Sequence, residues 1–493
     1  MEKQLYTNSF NVVINKKNYW CGLLTGLSLL FNLCSCSTTP SESEKETIQK
    51  KQIIIHSNLK KGQAAFFYYF GEFDNTVPPF SFTNTDSLKV IESNTPVLLI
   101  DAVMHNLFLV YPGDTLHLYL GDNKSPVLET ESDTIRNNEL SFFVAAQATG
   151  DPIIESSLFF SLPNTKAIAT GNNIDFTAYI QTSLDTYQKR LDFLKSYQTG
   201  KQLSPSFVEQ VESLYKNFQR LQATTAIHMK NLKITDYPGS YIQYLDSLIK
   251  KATSTEKLTI GNQMFLRSPV FAYYTKKFAG ENLFADLFEY LRSNPVKIKE
   301  QQRFLEFVVL KRNLKTQYAL HKEYYDKFIN DDKDKYSNYL LNEIDALLAL
   351  KSTNGQQVLI DLKGNRITWN EILKKHKDSL LYIDFWASWC MPCRRAFPSS
   401  KNLVLEMKDK PVKFIYISTD AEINAWKKAA AEENLPVDAS YLIPDFDSAL
   451  LKRVFNIQTI PRYILLGKNG EVIDDDAEHP GSPEIKTILE QYF

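Results

Sequence analysis

Two thiols lie two residues apart where an apolar strand pattern gives way to a helical one, and this pair constrains the chain more than any other feature. The run is Asp384-Phe385-Trp386-Ala387-Ser388-Trp389-Cys390-Met391-Pro392-Cys393. A dithiol at such a junction can switch between reduced and disulfide forms without moving the fold around it. Only the thiolate is nucleophilic, so the site has to depress the pKa of its first sulfur. A helix N-terminus does this with unpaired backbone N–H groups and the positive end of its dipole. Cys390, at the helix start and expected to be the more exposed, is the attacking sulfur. Cys393, one turn in, resolves the mixed disulfide.

The chain has 5 cysteines in 493 residues. Cys21, Cys34 and Cys36 lie near the start, and the region between them and the late pair has none. That distribution does not describe a disulfide-stapled scaffold. Lys16 and Lys17 precede an apolar stretch from Trp20 to Leu33, the pattern of an export signal. The stretch is too short for a comfortable transmembrane helix, which needs about 20 apolar residues. Leu33-Cys34-Ser35-Cys36 resembles the lipobox of bacterial lipoproteins, with Cys36 as the lipidated residue. An ordinary signal peptide or a short anchor is the alternative. With lipid on Cys36, the protein faces the periplasm from a membrane of the cell envelope, and Cys390 and Cys393 are its remaining thiols. Residues 37–51 are rich in Ser, Thr, Glu and Lys and suit a solvated tether.

Hydrophobic residues make up 43% and charged residues 23%, as in ordinary globular domains. A net charge of −1 gives no electrostatic case for nucleic acid. Residues 52–136 carry short β-branched and aromatic clusters split by turn residues, among them Pro78-Pro79 and Pro112-Gly113-Asp114. Leu116, Leu118 and Leu120 alternate with His117 and Tyr119, giving one apolar face. A β-sandwich fits, with Asp114 as a turn former. Over residues 137–351 the period turns helical, as in Phe207, Val211, Leu214, Phe218 and Leu221. Seven or eight helices are expected, with tyrosines packing in the core by their rings. Asp331 to Lys335 reads as a solvated helix connection.

Residues 352–493 alternate strand and helix. Strands are expected at 358–360, 380–386, 412–418, 462–467 and 472–473, with a helix from Cys390 to about Lys408, others at 423–433, 447–455 and 483–491, and a hairpin turn at Lys468-Asn469-Gly470. Trp-Cys-x-Pro-Cys at a strand-to-helix junction, with an Ile460-Pro461 step before a later strand, resembles the thioredoxin fold. It is most similar to membrane-tethered disulfide reductases of the TlpA/ResA type. The order β-rich, helical, thioredoxin-like also resembles multidomain lipoproteins of the Bacteroidota.

The resemblance implies that Pro461 is cis and lies beside the dithiol. It implies an insertion between Cys393 and Pro461, which 420–444 can supply. It also implies that Asp384 is a buried carboxylate exchanging a proton with the resolving thiol through water. Burial raises such a pKa toward working pH, as a general base requires; the alternatives are a structural Asp held by a backbone N–H and one facing solvent. Trp386 and Trp389 flank the thiols in that family. Trp389, Met391, Pro392, Ile460 and Pro461 are the expected substrate-contacting residues, Ile460 offering backbone pairing to an extended substrate. Ala396 stands where the family often has Glu, so only the general reductase chemistry carries over.

The expected activity is reduction of protein disulfides outside the cytoplasm by a membrane-tethered thiol–disulfide oxidoreductase. Its partners are disulfide-containing substrate proteins and a membrane electron donor that re-reduces it. No cofactor beyond the Cys390–Cys393 disulfide and no metal are expected, since a zinc site needs two further ligands. A disulfide oxidase or isomerase, or a binding lipoprotein using this fold as scaffold, are the alternatives. Potential sets the direction, and sequence does not report potential.

Overall fold

The computed structural model describes residues 51–493 apart from 72, 74, 84–87, 104, 150–175, 229–234, 236, 255, 279–282 and 353–356. The expected signal segment and Cys36 lie outside the described residues.

The first part of the described chain is β-rich: β1 (Gln52–Ser57), β2 (Ala64–Phe70), β3 (Asn75–Thr83), β4 (Leu88–Glu92), β5 (Val97–Asp101), β6 (Leu107–Val110), β7 (Thr115–Leu120) and β8 (Pro126–Glu129). They form two four-stranded sheets, ordered β4-β1-β7-β8 and β3-β2-β5-β6. Ile53, Ile55, Leu116 and Leu118 of one sheet share an apolar core with Phe67, Val97, Leu99 and Phe108 of the other. Pro78-Pro79 does not break a strand as expected, because β3 runs straight through it. β3 is an edge strand, where a missing N–H is tolerated. Asp114 does form its turn, accepting from the Tyr111 amide at 2.7 Å, and also pairs with Arg136 at 2.7 Å. That ion pair ties the sheets to the first helix.

The helices that follow are α1 (Thr134–Ala148), α2 (Phe176–Gly200), α3 (Pro205–Thr224), α4 (Gly239–Ser254), α5 (Ile260–Phe265), α6 (Phe271–Lys277), α7 (Leu283–Ser293), α8 (Lys299–Gln317), α9 (Lys322–Asp331) and α10 (Lys335–Lys351). This exceeds the expected seven or eight among the described residues alone. One reason is the π-helical turn Leu266–Val270, which contains Pro269 and separates α5 from α6. Buried tyrosines do keep polar tips: Tyr237, Tyr241 and Tyr325 donate to the carbonyls of Ala226, Ala223 and Leu310. The Asp331–Lys335 connection is more than a solvated link. Asp334 caps α10 by accepting from the Ser337 amide and binds the Arg303 guanidinium through Nε at 2.8 Å and Nη2 at 3.0 Å.

The last part comprises β9 (Val358–Asp361), β10 (Arg366–Thr368), α11 (Trp369–Lys375), β11 (Leu380–Trp386), α12 (Met391–Glu406), β12 (Val412–Ser418), α13 (Ile423–Glu432), β13 (Ser440–Leu442), α14 (Leu450–Val454), β14 (Arg462–Leu466), β15 (Val472–Asp474) and α15 (Ile485–Glu490). Its seven-stranded sheet runs β10-β9-β13-β12-β11-β14-β15. β11 pairs parallel with β12 and antiparallel with β14. The unforeseen α11 starts at a capping box between Thr368 and Glu371. The helix expected over 447–455 is interrupted, since extended backbone at Ala449 separates a 3₁₀ turn (Phe446–Ser448) from α14.

Strand periodicity sends the side chains of β11 to two different cores. Leu381, Ile383 and Phe385 join a core that continues into the helical region through Leu340, Ile344 and Leu347 of α10. Tyr382 and Trp386 face the other way, into the core that holds both cysteines. The helices thus share apolar packing with one face of the redox domain.

Close helix packing sets one glycine. A Cβ on Gly261 of α5 would sit 3.0 Å from the Leu214 Cα and the Ser213 carbonyl oxygen of α3. Backbone atoms yield less than side chains do, so overpacking outweighs the gain in helix propensity. Gly261→Ala is expected to destabilise by about 1–3 kcal/mol, read as a lower denaturant midpoint with an unchanged slope.

Candidate active site

Seven consecutive buried residues make β11 a central strand, and the chain leaves it at Ala387 directly toward α12. Cys390 is the N-cap of α12, and Pro392 falls in the first turn, where its missing N–H costs nothing. Cys390 and Cys393 form a disulfide with Cα atoms 5.3 Å apart. The Cys393 amide donates to Cys390 Sγ at 3.2 Å, so the cap of this helix is a sulfur. Both cysteines are buried, Cys390 slightly less so. The sequence ordering of the two is right, but the expected exposure of Cys390 is small.

Exposure lies instead with the flanking residues. Trp389 is 68% and Met391 56% exposed, beside a buried sulfur. Trp386 is fully buried and meets Phe397 edge-on at 5.1 Å. The two tryptophans therefore differ, one lying in the core that holds the dithiol and one at the surface. The Ile460–Pro461 peptide is cis, directly before β14. Ile460 packs against both cores, including the one formed around the cysteines. Ala396 is buried, and Arg394 turns away to Glu432 and Glu433 at 2.9 and 2.8 Å.

Asp384 lies on the same face of β11 as Tyr382 and Trp386. Its carboxylate is almost wholly buried, and neither oxygen has a hydrogen-bond partner among the described residues. The alternative of a structural Asp satisfied by a backbone N–H therefore does not describe it. Burial pushes its pKa up from the usual carboxylate range to about 8. The register sets Tyr416 of β12 and Tyr463 of β14 directly opposite Asp384. Burial first, and the Asp384 carboxylate second, raise the Tyr382 and Tyr463 phenols well above their normal range. All three tyrosines remain neutral around the one acid.

Sequence reasoning missed the clamp on the loop before Cys390. Asp420, buried just after β12, accepts from the Ser388 amide at 2.8 Å and from the Ser388 hydroxyl at 2.6 Å. Ser418 also donates to it, at 2.7 Å. The signal was available as a Ser-x-Asp ending a strand pattern. Nothing local links it to Ser388, 32 residues earlier.

Residues 377–472 match the thioredoxin-like family. The thiol–disulfide oxidoreductase ResA of Bacillus thuringiensis subsp. konkukian is 26% identical over 158 residues, covering 32% of this chain and 83% of that protein. The ResA of Geobacillus kaustophilus is 27% identical over 137 residues, 28% of this chain and 73% of that protein. A solved thiol–disulfide oxidoreductase from Bacteroides fragilis is 25% identical, covering 28% of this chain and 97% of that one, with a TM-score of 0.24. The C-terminal part of this chain is a thioredoxin-like domain of the TlpA/ResA type. Its chemical class is thiol–disulfide oxidoreductase.

The raised pKa of Asp384 has a signed consequence for stability. The folded protein holds that proton up to about pH 8, whereas the unfolded chain releases it near 3.8. Asp384 therefore costs nothing below pH 4, and its cost grows as pH rises through that window. Asp384→Asn is expected to stabilise the oxidised protein at pH 8 by roughly 5 kcal/mol, since the pKa gap between folded and unfolded chain spans about four units at 1.36 kcal/mol per unit. The advantage should vanish near pH 4, and denaturant midpoints across that range measure it.

Proposed function

We propose that this protein is a membrane-tethered thiol–disulfide oxidoreductase that reduces protein disulfides outside the cytoplasm. One observation carries the reading: Cys390 caps α12 with its sulfur on the Cys393 amide, and a buried, unpartnered Asp384 lies on the strand face below.

In the reduced protein the same amide and helix end stabilise a Cys390 thiolate. That thiolate attacks one sulfur of a substrate disulfide. A Cys390–substrate bond forms, the substrate S–S bond breaks, and one substrate thiolate leaves to take a proton. The ionised form of Asp384, which burial makes the minor form below about pH 8, receives the proton of Cys393, and the Cys393 sulfur then attacks Cys390 Sγ. The mixed disulfide breaks, and the second substrate thiolate departs. Two electrons have passed from the dithiol to the substrate, leaving the Cys390–Cys393 disulfide. A membrane electron donor must return two electrons before the next cycle.

Exposed Trp389 and Met391 offer an apolar surface next to Cys390, with Pro392 beside them, and Ile460-Pro461 presents backbone to an extended substrate. Among the described residues no helix is long and apolar enough to cross a membrane. The tether is assigned to lipid on Cys36, from the lipobox-like run.

Insulin-disulfide reduction tests the chemistry. Cys390→Ser should abolish turnover, and equal turnover in variant and parent would remove the redox reading. Labelled palmitate tests the anchor: incorporation should be lost in Cys36→Ala, and undiminished labelling would exclude Cys36.

A further inference from the structure

A cleft of about 640 Å³ opens between the helical region and the redox domain. One wall is α8 and α10, and the other is the segment from Asp447 to Gln458 with Asp475. Its lining carries six cationic side chains against three carboxylates. Some of these charges are already paired, Lys315 with Asp475 and Lys452 with Asp447. Two arginines are not. Arg312 donates to the Arg267 carbonyl at 2.9 Å and lies over the Phe271 ring, and Arg453 donates to the Asn342 carbonyl at 3.0 Å. Both are exposed, and no carboxylate pairs with either among the described residues.

The cleft leads to the chemistry. Asn456 and Gln458 line it, and Gln458 is two residues, at most about 7 Å of chain, from Ile460. The wall is also braced to that loop. Asp475 binds Lys315 of α8 through its carboxylate, and its backbone carbonyl accepts Arg462 at 2.9 and 2.6 Å. Arg462 directly follows Pro461.

We propose that this cleft binds an acidic stretch of the substrate polypeptide, with carboxylates on Arg312 and Arg453, while the neighbouring substrate cysteine lies at the Ile460-Pro461 loop. The proposal rests on the redox reading above and names the substrate class for it: disulfide proteins with acidic residues flanking the reacting cysteine. Guanidinium forks match carboxylates in charge and geometry. The cleft has room for several residues, more than one small anion fills, and its continuity with the loop favours a chain that extends to the dithiol.

The test uses the full chain and disulfide-linked peptides with a run of Asp and Glu on either side of the cysteine, compared with Asn/Gln isosteres. The reduced protein should favour the acidic peptide by about tenfold in kcat/KM, as expected for two charge-assisted contacts. Arg312→Gln with Arg453→Gln should remove that preference and leave the neutral peptide's turnover unchanged, which also reports an intact fold. Separately, a cysteine-free acidic peptide should bind the Cys390→Ser/Cys393→Ser protein and lose affinity with added salt. Binding without reduction of either peptide would support the cleft and overturn the redox reading alone. Equal kcat/KM for the two peptides, absence of acidic-peptide binding, or succinate binding as tightly as the peptide would overturn the proposal.

Discussion

The architecture of the redox domain depends on β11 being buried on both faces while carrying one acid. A strand with neighbours on both edges and cores on both faces cannot relax toward water. Its alternation sends Leu381, Ile383 and Phe385 one way and Tyr382, Asp384 and Trp386 the other. The first set fastens the domain to the helices. The second builds the floor of the dithiol site. A one-residue slip would exchange the two sets and place the carboxylate in the interdomain core. Pairing with β12 over seven positions and with β14 over five opposes such a slip.

Asp384 shows how the fold carries a cost at this site. An unpartnered buried carboxylate is among the least favourable groups a core can hold. The protein keeps it neutral over most of the physiological range by burial alone, with phenols of neutral tyrosines as neighbours. Such a group holds its proton up to about pH 8. The helix end acts on the Cys390 sulfur through the Cys393 amide. Two different physical effects, desolvation on the acid and a helix terminus on the sulfur, thus act at the two ends of one short motif.

Much of this was legible along the chain. The strands at 380–386 and 412–418 are where alternation and apolar runs place them, because both are long and bounded by clear turn signals. The dithiol, the cis proline and the buried acid follow from one short motif and one dipeptide. Elsewhere local pattern misled. Pro78-Pro79 reads as a break yet sits in a strand, since edge position removes the penalty. The 447–455 helix reads as continuous but is cut at Ala449. Asp331–Lys335 reads as solvated, although Arg303 draws Asp334 inward. The Asp420 clamp was invisible because its partner is remote in sequence.

The sequence by itself determined the paired cysteines, the acid on the strand that precedes them, and the strand-to-helix junction that holds them. These are properties of adjacent residues and of local backbone preference. The tertiary structure alone decided that both cysteines are covered, that Ser388 is held by Asp420, and that cations of α8 and of the Asp447–Gln458 segment line one cleft beside the loop leading to Pro461. Those features depend on contacts between segments tens to more than a hundred residues apart, and register and packing, not composition or period, bring such segments together.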